Sequence, residues 1–473
     1  MPAPTPPPHP HSPQPSQPSQ PPQPSQPPQS PRSPERDRPA APARPAPPTR
    51  PAAPARPAPP TRPTRPVRPE IAVTGLGVIS PAGHSLQEFW QTVSQGRSTA
   101  RALTDPALAR HRVRLGCPVT ALPHDPALPA KDARRLDPFA HYATLAALAA
   151  HRDAGSPHPG PGRSAIVVGN AVGGRTTSDR ESAAYTQHGP LRVSPLMPLI
   201  TMPNAAAAQI AMRLSWSGTA LTIATTCASG ADAIGHGAML LATGRADVVI
   251  AGGCEATLTP VTLAAFGNLG AHSQRNADPA RASRPFDTHR DGFVMGEGAG
   301  FLVLERLDDA RARHRTPYAL LAGYGSSADA YHLANPRPDG AGATAAMRAA
   351  LTDAGLTPAD ITHVNAHGTA TIHNDRAEAA ALRTVFGPHA VPVTSTKGVI
   401  GHLIGAAGAV ELIAAIQAMT NRLVPPTANH ETTEAGLDLD VVHTRPRPIR
   451  PGAALSNSFG FGGHNSTLVV TPA

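Results

Sequence analysis

From Glu70 onward, short runs of β-branched and other apolar residues alternate with longer Ala-rich stretches whose apolar positions recur at helical spacing. That alternation is the pattern of a layered α/β protein. The runs predict strands at 71–73, 166–168, 221–224, 248–251 and 301–304, then at 319–324, 362–365, 391–394, 454–457 and 467–470. Five and five point to a duplicated unit, although no repeat is evident residue by residue. Helices are expected at 229–243, 341–354, 375–385 and 406–420, with Gly244 and Gly355 where helices commonly end.

Before Glu70 the pattern is different. Pro, Ala, Ser, Gln and Arg fill residues 1–69, and large apolar residues are nearly absent. Such a segment cannot bury enough surface to offset its chain entropy, so a disordered Pro-rich tail is expected there. The tail also carries most of the charge. Nine of its residues are arginines, opposed only by Glu35 and Asp37, so about +7 of the net +9 lies outside the body. The nearly neutral body gives no reason to expect nucleic-acid binding.

Three cysteines, Cys117, Cys227 and Cys254, are too few for a disulfide framework in a chain of 473 residues and point to a reducing compartment. The N-terminus has no apolar core of a signal peptide, and no apolar run has the length of a membrane span. A cytoplasmic protein that makes no use of a membrane is expected.

Cys227 follows an apolar, strand-like run and precedes Ala-Ser-Gly-Ala and a helical pattern. A thiol at a strand-to-helix junction meets the positive end of the helix and free N–H groups, which favour thiolate. Cys117 and Cys254 have no such setting and are expected in the core. His367, in Val-Asn-Ala-His-Gly-Thr-Ala-Thr, and His402, in a glycine-rich approach to a helix, both lie beyond strand ends, where parallel sheets carry their ligands. Lys397 is one of only two lysines in a chain that otherwise uses arginine, and a compact ammonium is not interchangeable with a guanidinium. The segment Asn457-Ser-Phe-Gly-Phe-Gly-Gly-His-Asn465 offers three glycines whose N–H groups can face a ligand.

Together, Thr-Thr-Cys-Ala-Ser-Gly around Cys227, Asn-Ala-His-Gly-Thr-Ala-Thr around His367, the stretch from Ser395 to Gly408 and the glycine-rich stretch after Asn457 resemble the signatures of elongating β-ketoacyl-acyl-carrier-protein synthases. They stand in the family's order and cover about residues 70 to 472. The resemblance implies a thiolase-type fold: two duplicated five-stranded halves in an α-β-α-β-α five-layered sandwich. It divides the chain into the tail (1–69), an N-terminal half with the nucleophile (70–318) and a C-terminal half with the histidine pair (319–473). It also implies a homodimer, or a heterodimer with a ketosynthase-like partner.

By the same resemblance, Cys227 holds the acyl chain as a thioester, and the N–H groups of Cys227 and Phe461 form the oxyanion hole. His367 and His402 stabilise the enolate of malonyl-acyl-carrier protein as carbon dioxide leaves. Lys397 sets the electrostatics around His367, with Glu411 as its buried partner. Thr369 and Thr371 bind the phosphopantetheine arm, Phe266 and Val172 border the acyl pocket, and Phe461 gates it. Arg134 and Arg135 dock the acidic acyl carrier protein. No cofactor or metal is implied beyond the phosphopantetheine that carries the acyl and malonyl substrates. A thiolase would need a second cysteine in the last glycine-rich loop, where none stands. A catalytically silent chain-length partner subunit would lack the nucleophilic cysteine.

Overall fold

The computed structural model describes residues 68–473, so the expected tail lies outside the described residues apart from its last two positions. Eleven strands form one mixed sheet: β1 (Ile71–Ile79), β2 (Ser164–Gly169), β3 (Thr219–Ile223), β4 (Val248–Glu255), β5 (Gly298–Arg306), β6 (Ala319–Ala328), β7 (Ile361–Asn365), β8 (Pro392–Thr394), β9 (Asp440–Val441), β10 (Ala453–Gly460) and β11 (His464–Thr471). Ten of them cover the expected runs. The two-residue β9 at the far edge was not expected, and its brevity leaves no periodic signal to read.

The strand order is β9-β8-β7-β10-β11-β6-β1-β5-β4-β2-β3. Counted within each half, the N-terminal strands run 3-2-4-5-1 from edge to centre. The C-terminal strands, β9 aside, do the same. Directions match as well: β2 is parallel to β3 and β4, and β7 is parallel to β8 and β10. The first strands of the two halves meet antiparallel, Ala72 opposite Leu320 and Val73 opposite Ala319. That pairing joins the halves into one sheet.

Six helices position the site: α1 (Pro138–Asp153), α2 (Ser229–Ala242), α3 (Pro260–Asn268), α4 (Ala341–Ala354), α5 (Ile372–Phe386) and α6 (Ala407–Asn421). α1 covers the outer face of β1, β4 and β5, while α4 covers β6 and β11 and packs on α5. α2 and α6 touch each other between the halves and form the middle layer. The five layers follow. Strands covered on both faces need no polar side, and every residue of β1 is buried.

The duplication is visible in residues after all. A Cβ on Gly75 or Gly77 of β1 would fall 2.3 and 2.0 Å from the Ala150 and Ala146 carbonyl oxygens of α1. One on Gly323 or Gly325 of β6 would fall 2.2 and 2.3 Å from those of Ala350 and Ala346 in α4. In each half, two glycines two residues apart let a helix lie directly on the first strand. The segment Ile404–Asn421 has the length and hydropathy of a membrane span, but 83% of it is buried, as the core helix α6 and the turn before it.

Candidate active site

The turns that carry Cys227 and follow His402 occupy equivalent places in the two halves. Cys227 sits in the 3₁₀ turn Thr226–Ala228 between β3 and α2; His402 lies just before the 3₁₀ turn Ile404–Ala406 that leads into α6. The first residue of each turn is left-handed, Thr226 at φ 52° and Ile404 at φ 48°. Such φ values are uncommon for β-branched side chains and mark strained turns. Because α2 and α6 face each other, the two turns converge.

The convergence places Sγ of Cys227 3.1 Å from Nε2 of His402. His367, just beyond β7, stands edge-on to His402 with ring centroids 5.2 Å apart. One donor atom from each of the three residues lies within 4.8 Å of the others, and all three side chains are buried. They line a cavity of about 320 Å³ whose wall also includes Thr369, Thr371, Phe459, Phe461 and Asn465. Cys117 and Cys254 are buried away from this wall.

The tautomer of His402 follows from its neighbours. The Ile404 N–H donates to Nδ1 at 3.3 Å, so the proton of the neutral ring is on Nε2, facing the sulfur. Burial first, then the Lys397 charge, holds the His402 pKa well below the usual histidine value. The same causes act on His367, with His402 adding to them. Both rings are neutral donors. Three such atoms resemble a soft-metal donor set, but a metal would have to displace the Nε2 proton that Ile404 fixes and sit near the Lys397 ammonium.

The expectation of a standing thiolate is not met. Burial pushes the Cys227 thiol up to about 12, and the Lys397 charge and the Phe461 N–H pull only partly against it. A helix end does not outweigh the loss of water from a buried sulfur. The Phe461 N–H nevertheless points at that sulfur, and Thr226 Oγ1 donates to the Phe461 carbonyl at 3.0 Å, locking the glycine loop onto the nucleophile turn. The Phe461 ring stacks on Phe266 of α3 with centroids 6.2 Å apart. Phe266 meets Phe293, which meets His402 in turn, so a chain of rings runs from the loop to the imidazole.

Lys397 and Glu411 pair at 2.5 Å, both sealed from solvent. Burial lifts the Glu411 carboxyl to about 7 against the opposing pull of Lys397. Thr369 and Thr371 share a hydrogen bond of 2.9 Å at the cavity wall. Val172 is not brought into the cavity: it is 47% exposed, beside the edge strand β3, where nothing among the described residues covers it. Arg134 and Arg135 are exposed at the end of the short helix Ala130–Ala133, away from the cavity wall.

Two buried acids escaped sequence reasoning. Glu378 of α5 accepts the backbone N–H groups of His367 and Gly368 at 2.8 and 2.7 Å. Glu255, at the end of β4, accepts those of Ala171 and Gly405 at 2.9 and 3.2 Å. A lone acid in an Ala-rich stretch reads as a solvated position, and the only available signal was the place of Glu255 at a strand end.

Comparison with known proteins agrees with this geometry. Residues 68–310 match the family model described as beta-ketoacyl synthase, N-terminal domain, and residues 318–431 match the corresponding C-terminal domain. The chain belongs to the β-ketoacyl synthase family, and it is accordingly a carbon–carbon bond-forming acyltransferase. It is 40% identical over 402 residues to the 3-oxoacyl-[acyl-carrier-protein] synthase 2 of Synechocystis sp., covering 84% of this chain and 97% of that protein. The solved ishigamide ketosynthase/chain length factor is similar with a TM-score of 0.80 at 32% identity, over 86% of this chain and 100% of that one. A type II PKS acyl-carrier protein in complex with its ketosynthase bound to the hexaketide is similar with a TM-score of 0.78 at 30% identity, with the same coverage.

Proposed function

We propose that the chain elongates acyl thioesters by decarboxylative condensation, with Cys227 as nucleophile and the Nε2–H of His402, together with His367, as donors to the enolate. The observation that carries this reading is Sγ of Cys227 3.1 Å from a protonated Nε2 on the wall of a cavity. Residues 70–318 supply the nucleophile and 319–473 the histidines and the lysine.

In the first half-reaction, Cys227 attacks the acyl thioester of an acyl carrier protein. The carbon–sulfur bond to phosphopantetheine breaks, and the Cys227 proton leaves on the phosphopantetheine sulfur. The N–H groups of Cys227 and Phe461 stabilise the oxyanion. In the second, the carbon–carbon bond to the malonyl carboxylate breaks and carbon dioxide departs. The enolate oxygen accepts hydrogen bonds from the two imidazoles. Its carbon attacks the acyl-Cys227 carbonyl, and the sulfur leaves as thiolate and takes a proton from solvent, giving a 3-oxoacyl chain two carbons longer and the resting thiol. Neutral donors suit this task, since a standing imidazolium would also hold the malonyl carboxylate and oppose its loss.

Thr369 and Thr371 hold the phosphopantetheine arm along the cavity wall, Phe461 and Phe266 gate the acyl chain, and Arg134 and Arg135 dock the carrier. β3 is paired on one side only, and Leu221, Val172, Leu199 and Met202 around it are exposed. This apolar edge is the seat for a second copy or a ketosynthase-like partner, and Val172 borders the acyl pocket once that partner is seated. The reaction takes place in the cytoplasm. An elongation assay with acyl-carrier substrates of graded length, products identified by mass, tests the reading. A 3-oxoacyl product two carbons longer than its starter is expected; none, with active carrier protein, overturns it.

A further inference from the structure

Glu255 is fully enclosed, and every partner of its carboxylate is an N–H donor. Oε2 accepts from Ala171 and Gly405, Oε1 accepts from the Asn170 amide at 3.2 Å, and the Val172 N–H faces it too. These donors belong to two segments far apart in sequence. Asn170–Val172 follows β2, and its Asn170 N–H donates to the Ile223 carbonyl at 3.0 Å, four residues before Cys227. Gly405 belongs to the turn whose Ile404 N–H fixes the tautomer of His402.

The junction has no slack. A Cβ on Gly405 would fall 2.7 Å from both the Ala171 nitrogen and the Glu255 oxygen. From the other side, the Gly405 carbonyl lies 2.5 Å from where a Cβ on Gly253 would stand and 2.9 Å from one on Gly230 of α2. A single carboxylate therefore bridges two segments that also pack directly on each other. Burial pushes the Glu255 carboxyl up to about 8 while these N–H donors pull against it, and one buried acceptor shared by several donors ties them into a single network.

We infer that Glu255 is a positioning residue for the condensation, its carboxylate holding the His402 turn and the Asn170–Val172 loop in one register so that Nε2 of His402 stays aimed at the malonyl enolate. The inference rests on the ketosynthase reading of the site. Cys227 acylation relies on N–H groups of the nucleophile turn and the glycine loop, to which Glu255 makes no hydrogen bond; its charge raises the Cys227 pKa, so removing that charge does not hinder acylation. Loss of the carboxylate therefore falls on the step that uses His402. A displacement of about 1 Å there is enough for a loss on the order of 100-fold.

The test uses the full chain with Glu255→Gln, with active sites counted by iodoacetamide titration of Cys227. Acyl transfer from acyl-carrier protein to Cys227 and carbon dioxide release from malonyl-carrier protein are measured separately. Carbon dioxide release is expected to fall about 10- to 100-fold in kcat with little change in KM, while acyl transfer falls less than about threefold. Asn170→Asp sets a like charge beside Oε1 and is expected to give the same split, which keeps the inference open to refutation if E255Q does not fold. Equal losses in both half-reactions, or no loss, overturn it. A wild-type chain that performs neither half-reaction overturns the ketosynthase reading instead.

Discussion

Lys397 and Glu411 face each other at 2.5 Å with no exposed surface on either side chain. Removing one member of such a pair leaves the other charge buried without compensation, at a cost of about 3–5 kcal/mol. The Glu411 carboxyl, already lifted to about 7 by burial, escapes that cost by taking up a proton. Lys397→Met is therefore expected to destabilise the fold more at pH 8 than at pH 6, read by urea unfolding. Lys397→Met with Glu411→Gln should regain stability but not activity. The ammonium also lowers the Cys227 pKa, so either variant should react more slowly with iodoacetamide than wild type at every pH from 7 to 9. A thiol whose reactivity ignores Lys397 would remove the lysine from the electrostatics of the site.

The Nε2–H of His402 faces both the Cys227 sulfur and the space where an enolate oxygen would form. His402→Ala removes that donor and leaves the N–H groups of Cys227 and Phe461 in place. Carbon dioxide release from malonyl-carrier protein should fall by about 10²–10³, the usual loss for one oxyanion donor. Acylation of Cys227 should fall much less. Stopped assays of the two half-reactions check this, and equal losses would contradict the separate roles.

The residues legible in sequence are those whose chemistry shows at a strand end. Cys227, His367, His402 and Lys397 follow β3, β7 and β8 in glycine-rich or small-residue surroundings that no packing requirement explains. The inner strands were equally plain, since burial on both faces leaves unbroken apolar runs. Helix α1 was not read, because Pro-Phe-Ala-His-Tyr-Ala-Thr-Leu-Ala-Ala-Leu-Ala-Ala-His buries nearly every side and loses the amphipathic stripe. Glu378 and Glu255 were missed for another reason: most of their partners are backbone N–H groups, which carry no sequence signature. The protonation of Cys227 was misread because helix ends are visible in sequence, whereas enclosure depends on what folds over them.

His363 of β7 is buried with no hydrogen-bond partner among the described residues on either ring nitrogen, and burial lowers its pKa from 6.5 to about 3. Below about pH 6.5 the unfolded chain takes up a proton that the folded chain refuses, so stability falls as pH drops toward 3 and is unaffected above 6.5. At pH 5 the deficit from this residue is about 2 kcal/mol. His363→Leu should shrink the difference in unfolding free energy between pH 7.5 and pH 5 by that amount. Because wild type and variant share every other titrating group, the comparison isolates this ring. An unchanged difference would mean that the ring finds a partner when protonated.

Gly460 ends β10 where the glycine loop crosses the nucleophile turn. A Cβ there would stand 2.0 Å from Thr226 Oγ1, 2.9 Å from the Thr225 carbonyl oxygen and 3.0 Å from the Cys227 nitrogen. Two of these atoms are backbone, so the clash cannot be relieved by a rotamer change. Gly460→Ala must push the loop off the turn, and with it the Phe461 N–H that points at the sulfur. The core beneath is untouched, and β10 keeps its pairing with β7 and β11. The expected result is a loss of about 10²–10³ in Cys227 acylation, the value of one oxyanion donor, with the melting temperature lowered by only a few degrees. Acyl transfer from acyl-carrier protein, followed by mass of the modified protein, reads the first. A G460A enzyme that acylates at the wild-type rate would show that the Phe461 N–H is not an oxyanion donor.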